Sequence, residues 1–376
     1  MKKRNIPVGK ILGIPIGVDY SWFLIFLLLS WMLAKNYFPT EFKNWSLLEY
    51  WIVGIVTTIM LFVSVLLHEL GHSIIALKYK IKVKQINLFI FGGLAEIAGE
   101  PPKASAEFWI AIAGPVVSFF LAGIFYLLQL LTQNVAPVFA VFEYLAYINF
   151  VLAVFNLIPG FPLDGGRVLR AIVWGFTHNL HRATYIAAIV GRFFGFFFIF
   201  IGFLQIFAGN VGNGLWIAFI GWFLESAAMA QLQQQILEEH LSGHLVSEAM
   251  SNDYAIIPDD TTIQEVMDNH FLGIGRRSLF IKKDNQFIGI LTMHKIKEIP
   301  SDNWQNTFVK EIMIPLSDTQ KVEPDAPLWN ALLKMDKNGV NQLPVMEGNE
   351  LLGVLSRESI ITFLSLQGYL RNKTAV

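Results

Sequence analysis

Polar and apolar positions divide this 376-residue chain into two regimes. Up to about residue 240 long apolar runs are broken by short polar stretches, whereas beyond it the apolar runs are short and alternate with charge. Six of the long runs reach the roughly 20 residues a helix needs to cross a hydrocarbon layer of about 30 Å. They are Val18–Ala34, Trp51–Leu77, Phe108–Leu131, Val138–Ile158, Ala183–Phe207 and Leu215–Leu232, and they predict six transmembrane helices. Between the second and third, Val83–Ile90 alternates and then runs apolar to Gly92-Gly93, with Leu94–Ala98 beyond. That pattern predicts a hairpin at the membrane edge.

The last third carries an internal repeat. Val246-Ser247-Glu248-Ala249-Met250 is answered by Val309-Lys310-Glu311-Ile312-Met313, and Gly289-Ile290-Leu291-Thr292 by Gly353-Val354-Leu355-Ser356, a period of about 63 residues. Each copy pairs a helical stretch (Thr262–Asn269; Leu328–Asn338) with two β-like runs (Ser278–Lys282 and Phe287–Leu291; Gln342–Met346 and Leu351–Leu355) joined by Asp-Asn or Gly-Asn turns. This resembles a tandem pair of cystathionine-β-synthase-type (CBS) modules, at about 244–300 and 308–370. The resemblance implies a cytosolic regulatory unit that binds an adenine nucleotide through Thr292 and Ser356 and can form a homodimer. The family's Gly-x-x-Thr/Ser-x-x-Asp pattern is only half kept, since Lys295 and Ser359 stand where an acid would accept the ribose hydroxyls.

Composition sharpens the division. Of the 57 Asp, Glu, Lys and Arg side chains, 27 fall in residues 1–240 and 30 in the last 136, while only nine aromatic residues follow residue 240. The expected division is therefore a membrane α-helical domain over 1–235 and an α/β pair over 240–376. A net charge of -1 argues against a nucleic-acid partner, and the lack of cysteine excludes thiolate metal sites and cysteine nucleophiles. Basic residues set the orientation. Lys2, Lys3, Arg4, Lys10, Lys78, Lys80, Lys82, Lys84, Lys103, Arg167, Arg170 and Arg182 lie on one side against Lys35 and Lys43 on the other, which puts both termini in the cytosol of a multi-pass inner-membrane protein.

Chemistry concentrates near the cytosolic end of the second helix, in Leu66-Leu67-His68-Glu69-Leu70-Gly71-His72-Ser73. Two histidines at i and i+4 share a helix face and can offer nitrogens to one metal ion, and the adjoining Glu69 can take a proton from metal-bound water. Two satisfied core histidines are the bland reading on a soluble helix. Inside an apolar span, however, each ionisable group costs at least about 2.5 kcal/mol, so three together call for a compensating cation. A catalytic zinc needs a third protein ligand and keeps one position open. Asp164 stands out, in Asn156-Leu157-Ile158-Pro159-Gly160-Phe161-Pro162-Leu163-Asp164-Gly165-Gly166-Arg167, where two prolines break the fourth helix at similar depth.

His-Glu-Leu-Gly-His in one transmembrane helix, with Asn-x-x-Pro-x-x-Pro-Leu-Asp-Gly-Gly downstream, resembles the site-2 protease family of intramembrane zinc metalloproteases. Phe91-Gly92-Gly93-Leu94-Ala95 and Ala113-Gly114-Pro115 also fit that family's pattern, and the CBS pair places the chain in its CBS-bearing subgroup. The resemblance implies one zinc ion per chain on His68, His72 and Asp164, Glu69 as the acid/base, and Asn156 holding the substrate carbonyl or oxyanion. It also implies cleavage of transmembrane segments of single-span proteins near the cytosolic face, as in regulated intramembrane proteolysis. A substrate helix must be unwound to be cut, and the edge of the 83–99 hairpin can receive the resulting strand. The competing class is a CBS-regulated divalent-metal channel or transporter, which needs the ligands but no Glu69. Asn149 is read as interhelical glue, Arg192 and Glu225 as a structural ion pair, and His178 and His181 as solvated.

Overall fold

The computed structural model describes residues 5–90, 92–97, 99–271, 278–284, 286–348 and 350–374. Lys2, Lys3 and Arg4 of the basic stretch, Phe91 of the hairpin motif, and Asn285 and Asn349 of the two turns lie outside the described residues. The chain divides into two compact units, Lys2–Gln235 and Ile236–Val376.

Among the described residues, six helices that begin in the first unit are long and apolar enough to cross a membrane: α1 (Tyr20–Glu41), α2 (Leu47–Lys78), α3 (Ala104–Leu131), α4 (Ala136–Asn156), α6 (Leu180–Phe207) and α7 (Val211–Leu241). A shorter helix, α5 (Asp164–Thr177), follows the break after α4. The chain is thus a multi-pass membrane protein whose six long helices match the six apolar runs. Their outward faces keep large apolar side chains such as Leu27, Phe120 and Phe200 exposed, as lipid contact requires. Caps explain several starts. Ser46 and Glu49 form a reciprocal capping box at the head of α2, a device generally worth about 1 kcal/mol. The Asp19 carboxylate accepts from the Ser21 N–H at 2.8 Å at the head of α1.

Two features exceed the sequence reading. The stretch before α1 is a hairpin, β1 (Asn5–Ile11) with β2 (Ile14–Asp19), turning through Leu12 and Gly13, both at positive φ. Two consecutive left-handed residues give the turn whose twist suits paired strands. With β3 (Val83–Phe89) and β4 (Gly92–Ile97) they form one sheet in the order β1-β2-β3-β4, in which only β2 and β3 run parallel. The expected 83–99 hairpin is therefore the outer half of a four-stranded sheet, and β4 is its edge. Arg170, counted among the loop charges, sits instead on α5, where it is 8% exposed and paired with Glu107 of α3.

The second unit holds the α/β repeat. A sheet in the order β5 (Ile256–Pro258), β6 (Ser278–Lys283), β7 (Gln286–Thr292), β8 (Ile314–Pro315) serves the first copy, and β9 (Gln342–Glu347) with β10 (Glu350–Ser356) the second. The copies exchange their leading segments. Val246 and Ala249 pack in the core of the second copy with Leu328, Leu343 and Leu355. Val309 packs in the core of the first with Ile263, Leu279 and Leu291. Each copy therefore completes its partner's core, which makes the pair one folding unit.

Candidate metal centre

Helix α2 presents His68 and His72 on one face, and both rings are buried, at 4% and 3% exposure. The third member arrives from α5, whose first residue is Asp164. Its Oδ2 lies 3.1 Å from Nε2 of His68 and 3.1 Å from Nε2 of His72, and the two nitrogens are 3.2 Å apart. Among the described residues this is the one cluster of His, Asp or Glu groups compact enough to hold a metal ion.

The far side of each ring is held by α3. Nδ1 of His72 lies 2.6 Å from the carbonyl oxygen of Ile110. That oxygen has no proton to give, so Nδ1 donates and Nε2 carries the lone pair. Nδ1 of His68 lies 2.8 Å from the fully buried Ser118 hydroxyl, and the same tautomer results when the hydroxyl accepts. Such partners fix ring orientation and raise the basicity of the other nitrogen. Two lone pairs and a carboxylate oxygen, mutually about 3.1–3.2 Å apart, then face one point. A single proton relieves one of these contacts, whereas a metal ion relieves all three.

The spacing also suits zinc. Zn–N and Zn–O bonds of about 2.0–2.1 Å at tetrahedral angles put ligand atoms roughly 3.3 Å apart. The donor set of two imidazoles and one carboxylate is that of a hydrolytic zinc site with one position left open. Gly114 makes the room, because a Cβ there would come within 2.6 Å of Nε2 of His68 and closer still to His72.

Glu69, next to His68 in the chain, turns toward the sheet. Its Oε2 accepts the N–H of Ala95 in edge strand β4 at 3.2 Å. Gly93 lets β4 pass over it, for a Cβ at that position would run into the Glu69 side chain. Asn156 is the last residue of α4, half-buried, eight positions before Asp164. Between them the chain folds tightly: the Phe161 N–H donates to the Ala187 carbonyl of α6 at 3.2 Å, and a Cβ on Gly160 would meet the backbone of Gly191. The break between α4 and α5 is thus docked on α6.

Other polar groups of the first unit serve packing. The Asn149 amide donates to the Leu145 carbonyl at 2.8 Å and to the Ser64 hydroxyl at 3.3 Å. Arg192 Nε donates to Glu225 Oε1 at 3.1 Å, linking α6 and α7. His181 meets Gln235 at 3.1 Å, and His178 caps α5 in a left-handed conformation.

Thr292 and Ser356 are far from this chemistry in sequence, and both line a cleft of about 1430 Å³ in the second unit, together with Ser278, Tyr254, Asp318 and Arg357. The residues that replace the expected acids are engaged locally. Lys295 Nζ donates to Glu298 Oε2 at 2.8 Å, while the Ser359 N–H donates to the Ser356 hydroxyl at 2.9 Å and the Ser359 hydroxyl to the Ser356 carbonyl at 2.9 Å.

Sequence reasoning missed Ser118, the Ile110 carbonyl, and the Glu107–Arg170 pair. A lone Ser in an apolar helix and a backbone oxygen give no sequence signal. Glu107 gave one, being a carboxylate one turn into a transmembrane helix.

Comparison with known proteins accounts for both units. The model of peptidase family M50 matches residues 56–138 and 132–201, and that of the CBS domain matches 246–302 and 309–366. A candidate zinc metalloprotease of Synechocystis sp., sll0528, is 37% identical over 367 residues, covering 96% of this chain and 96% of that protein. Another, Rip3 of Mycobacterium tuberculosis, is 30% identical over 96% of this chain and 93% of its own length. The zinc metalloprotease MJ0392 of Methanocaldococcus jannaschii is 27% identical over 96% of each.

Proposed function

The chain belongs to peptidase family M50 and is a multi-pass zinc metalloprotease with a CBS pair; from that footing we propose a site-2-type endopeptidase that cuts transmembrane segments of single-span membrane proteins near the cytosolic face. The observation that carries the reading is the convergence of Nε2 of His68, Nε2 of His72 and Oδ2 of Asp164 within 3.2 Å of one another, beside Glu69.

His68, His72 and Asp164 would hold the zinc ion, which would supply Lewis acidity and make water acidic enough to lose a proton near neutral pH. The chain's own groups do the rest. Glu69 keeps one carboxylate oxygen on the Ala95 N–H and uses the other to take a proton from the attacking water. It then delivers that proton to the amide nitrogen as the C–N bond breaks, so water is added across the peptide bond. The Asn156 amide donates to the substrate carbonyl oxygen as negative charge builds there. The Ala95 N–H points to Glu69, so the free side of β4 lies along the carboxylate, and a substrate segment paired there presents an extended backbone to it. A channel or transporter gives this Glu69 arrangement no work.

The cytosolic placement of the termini rests on the basic residues, which number eleven against two after the buried Arg170 is set aside from the twelve. In the second unit, the cleft that holds Thr292 and Ser356 is read as a nucleotide site through which an adenine nucleotide regulates cleavage, with homodimerisation through the CBS pair. Both locally engaged residues, Lys295 and Ser359, leave the ribose to these hydroxyls.

The test is Glu69→Gln in purified protein, with a single-span substrate panel in detergent. The variant is expected to keep one zinc per chain and lose cleavage. Cleavage at the parent rate, or a parent that binds no zinc, refutes the reading. Calorimetric titration of the chain with ATP, AMP and S-adenosylmethionine tests the cleft, and absence of heat with all three removes the nucleotide from the proposal.

A further inference from the structure

Glu107 is the most deeply buried carboxylate among the described residues, at 0% exposure, and it takes no part in the chemistry above. It sits one turn into α3, and its partner Arg170 lies on the facing helix, α5. Arg170 grips Oε1 of Glu107 with two donors, Nε at 2.6 Å and Nη2, while its guanidinium also lies over the Phe161 ring and 4.0 Å from Glu100. Oε2 of Glu107 is buried with no hydrogen-bond partner among the described residues. A carboxylate so enclosed is gripped directly by Arg170, and the two donors give the pair a defined geometry.

Where the two residues sit gives the pair its meaning. Glu107 is three residues before Ile110, whose carbonyl orients His72. Arg170 is six residues after Asp164, about 9 Å along α5 at 1.5 Å per residue. The contacts therefore close a ring: His72 to the Ile110 carbonyl, one turn of α3 to Glu107, across to Arg170, along α5 to Asp164, and from Asp164 Oδ2 back to His72 Nε2 at 3.1 Å. Every link but the ion pair is a helix or belongs to the metal centre itself.

We propose that Arg170 and Glu107 are positioning residues that hold α5 against α3 so that Asp164 reaches the metal held by His68 and His72. The inference rests on the reading of those three residues as zinc ligands. It assigns the pair a task beyond stability, because loosening it moves one ligand relative to the other two. Groups that orient metal ligands lower metal affinity about 10–100-fold when removed.

The experiment measures zinc affinity by competition with a chromophoric chelator, and the visible spectrum of the cobalt-substituted protein, for the parent, Glu107→Gln and Arg170→Gln in detergent. The expected result is a loss of zinc affinity of about 10–100-fold in each variant, with weakened or shifted cobalt bands while circular dichroism stays that of the parent. Arg170→Lys, which keeps the charge but not the two-pronged grip, is expected between parent and Arg170→Gln, and it carries the test if a neutral variant does not fold. Zinc affinities within twofold of the parent in all folded variants, with parent-like cobalt spectra, overturn the proposal even if the variants melt earlier. A parent without measurable zinc affinity overturns the ligand reading instead, so the two failures are distinguishable.

Discussion

Gly114→Ala should silence the enzyme while making its own helix more favourable. Alanine in place of a mid-helix glycine ordinarily stabilises by about 1 kcal/mol. Here the added methyl would sit 2.6 Å from His68 Nε2 and closer to His72. An ordinary van der Waals contact is about 3.5 Å, so the His68 ring must retreat by nearly 1 Å and the His72 ring by more than that. Zinc sites tolerate only about 0.2 Å of error in ligand distance. Nor can the backbone of α3 yield easily, since the Ile110 carbonyl and Ser118 hydroxyl that hold the same rings lie on the same helix within one turn or so of Gly114. A displacement of 1 Å at a catalytic centre costs about 100-fold in rate. The assay is cleavage of a single-span reporter in proteoliposomes, with zinc per chain determined by elemental analysis. At least that loss of rate and substoichiometric zinc are expected, in protein that melts no earlier than the parent stripped of zinc by chelator. Full zinc occupancy with cleavage within threefold of the parent refutes the steric argument.

Two further outcomes follow from single contacts. Ser118→Ala removes the partner of His68 Nδ1, and zinc affinity should fall by about 10–100-fold, with Ser118→Thr recovering part of the loss; competition titration reads both. In the second unit, the Leu245 N–H and then His244 hold the Glu248 carboxyl below its ordinary value of 4.5. A carboxylate depressed in the folded state stabilises at pH above that ordinary value and loses its effect as pH falls through the folded one. Melting temperatures recorded between pH 7 and pH 3 should accordingly fall more steeply for the parent than for Glu248→Gln, and parallel curves would contradict the assignment.

The apolar runs made the six long helices legible because a bilayer imposes one length on every crossing, and a repeat with turn residues between alternating runs made the α/β pair legible in the same way. Neither signal reaches the β1–β2 hairpin, whose second strand, Ile14–Asp19, merges with the apolar start of α1 and whose turn sets Leu12, a residue with no turn preference, beside Gly13. Helix α5 was hidden for a related cause: it follows two prolines and is too short to span a membrane, so its charges read as loop charges. Within the metal centre, His68, Glu69, His72 and Asp164 were conspicuous because ionisable groups are rare in apolar surroundings. Ser118, Gly114 and the Ile110 carbonyl were not, because their contribution is shape or a backbone dipole. Arg170 shows the limit most clearly, since a charge counted by sequence position says nothing of whether it faces water or a buried Glu107.

The residues of the candidate metal centre also impose an order in time. His68 and His72 leave the ribosome early, but Asp164 lies 96 residues after His68. At about 5–20 residues per second Asp164 follows His68 by roughly 5–20 s. During that interval α2 and α3 can already be in the bilayer with the two imidazoles oriented, yet the site lacks the carboxylate that completes it. The three side chains can therefore come together only after α5 has been made and packed.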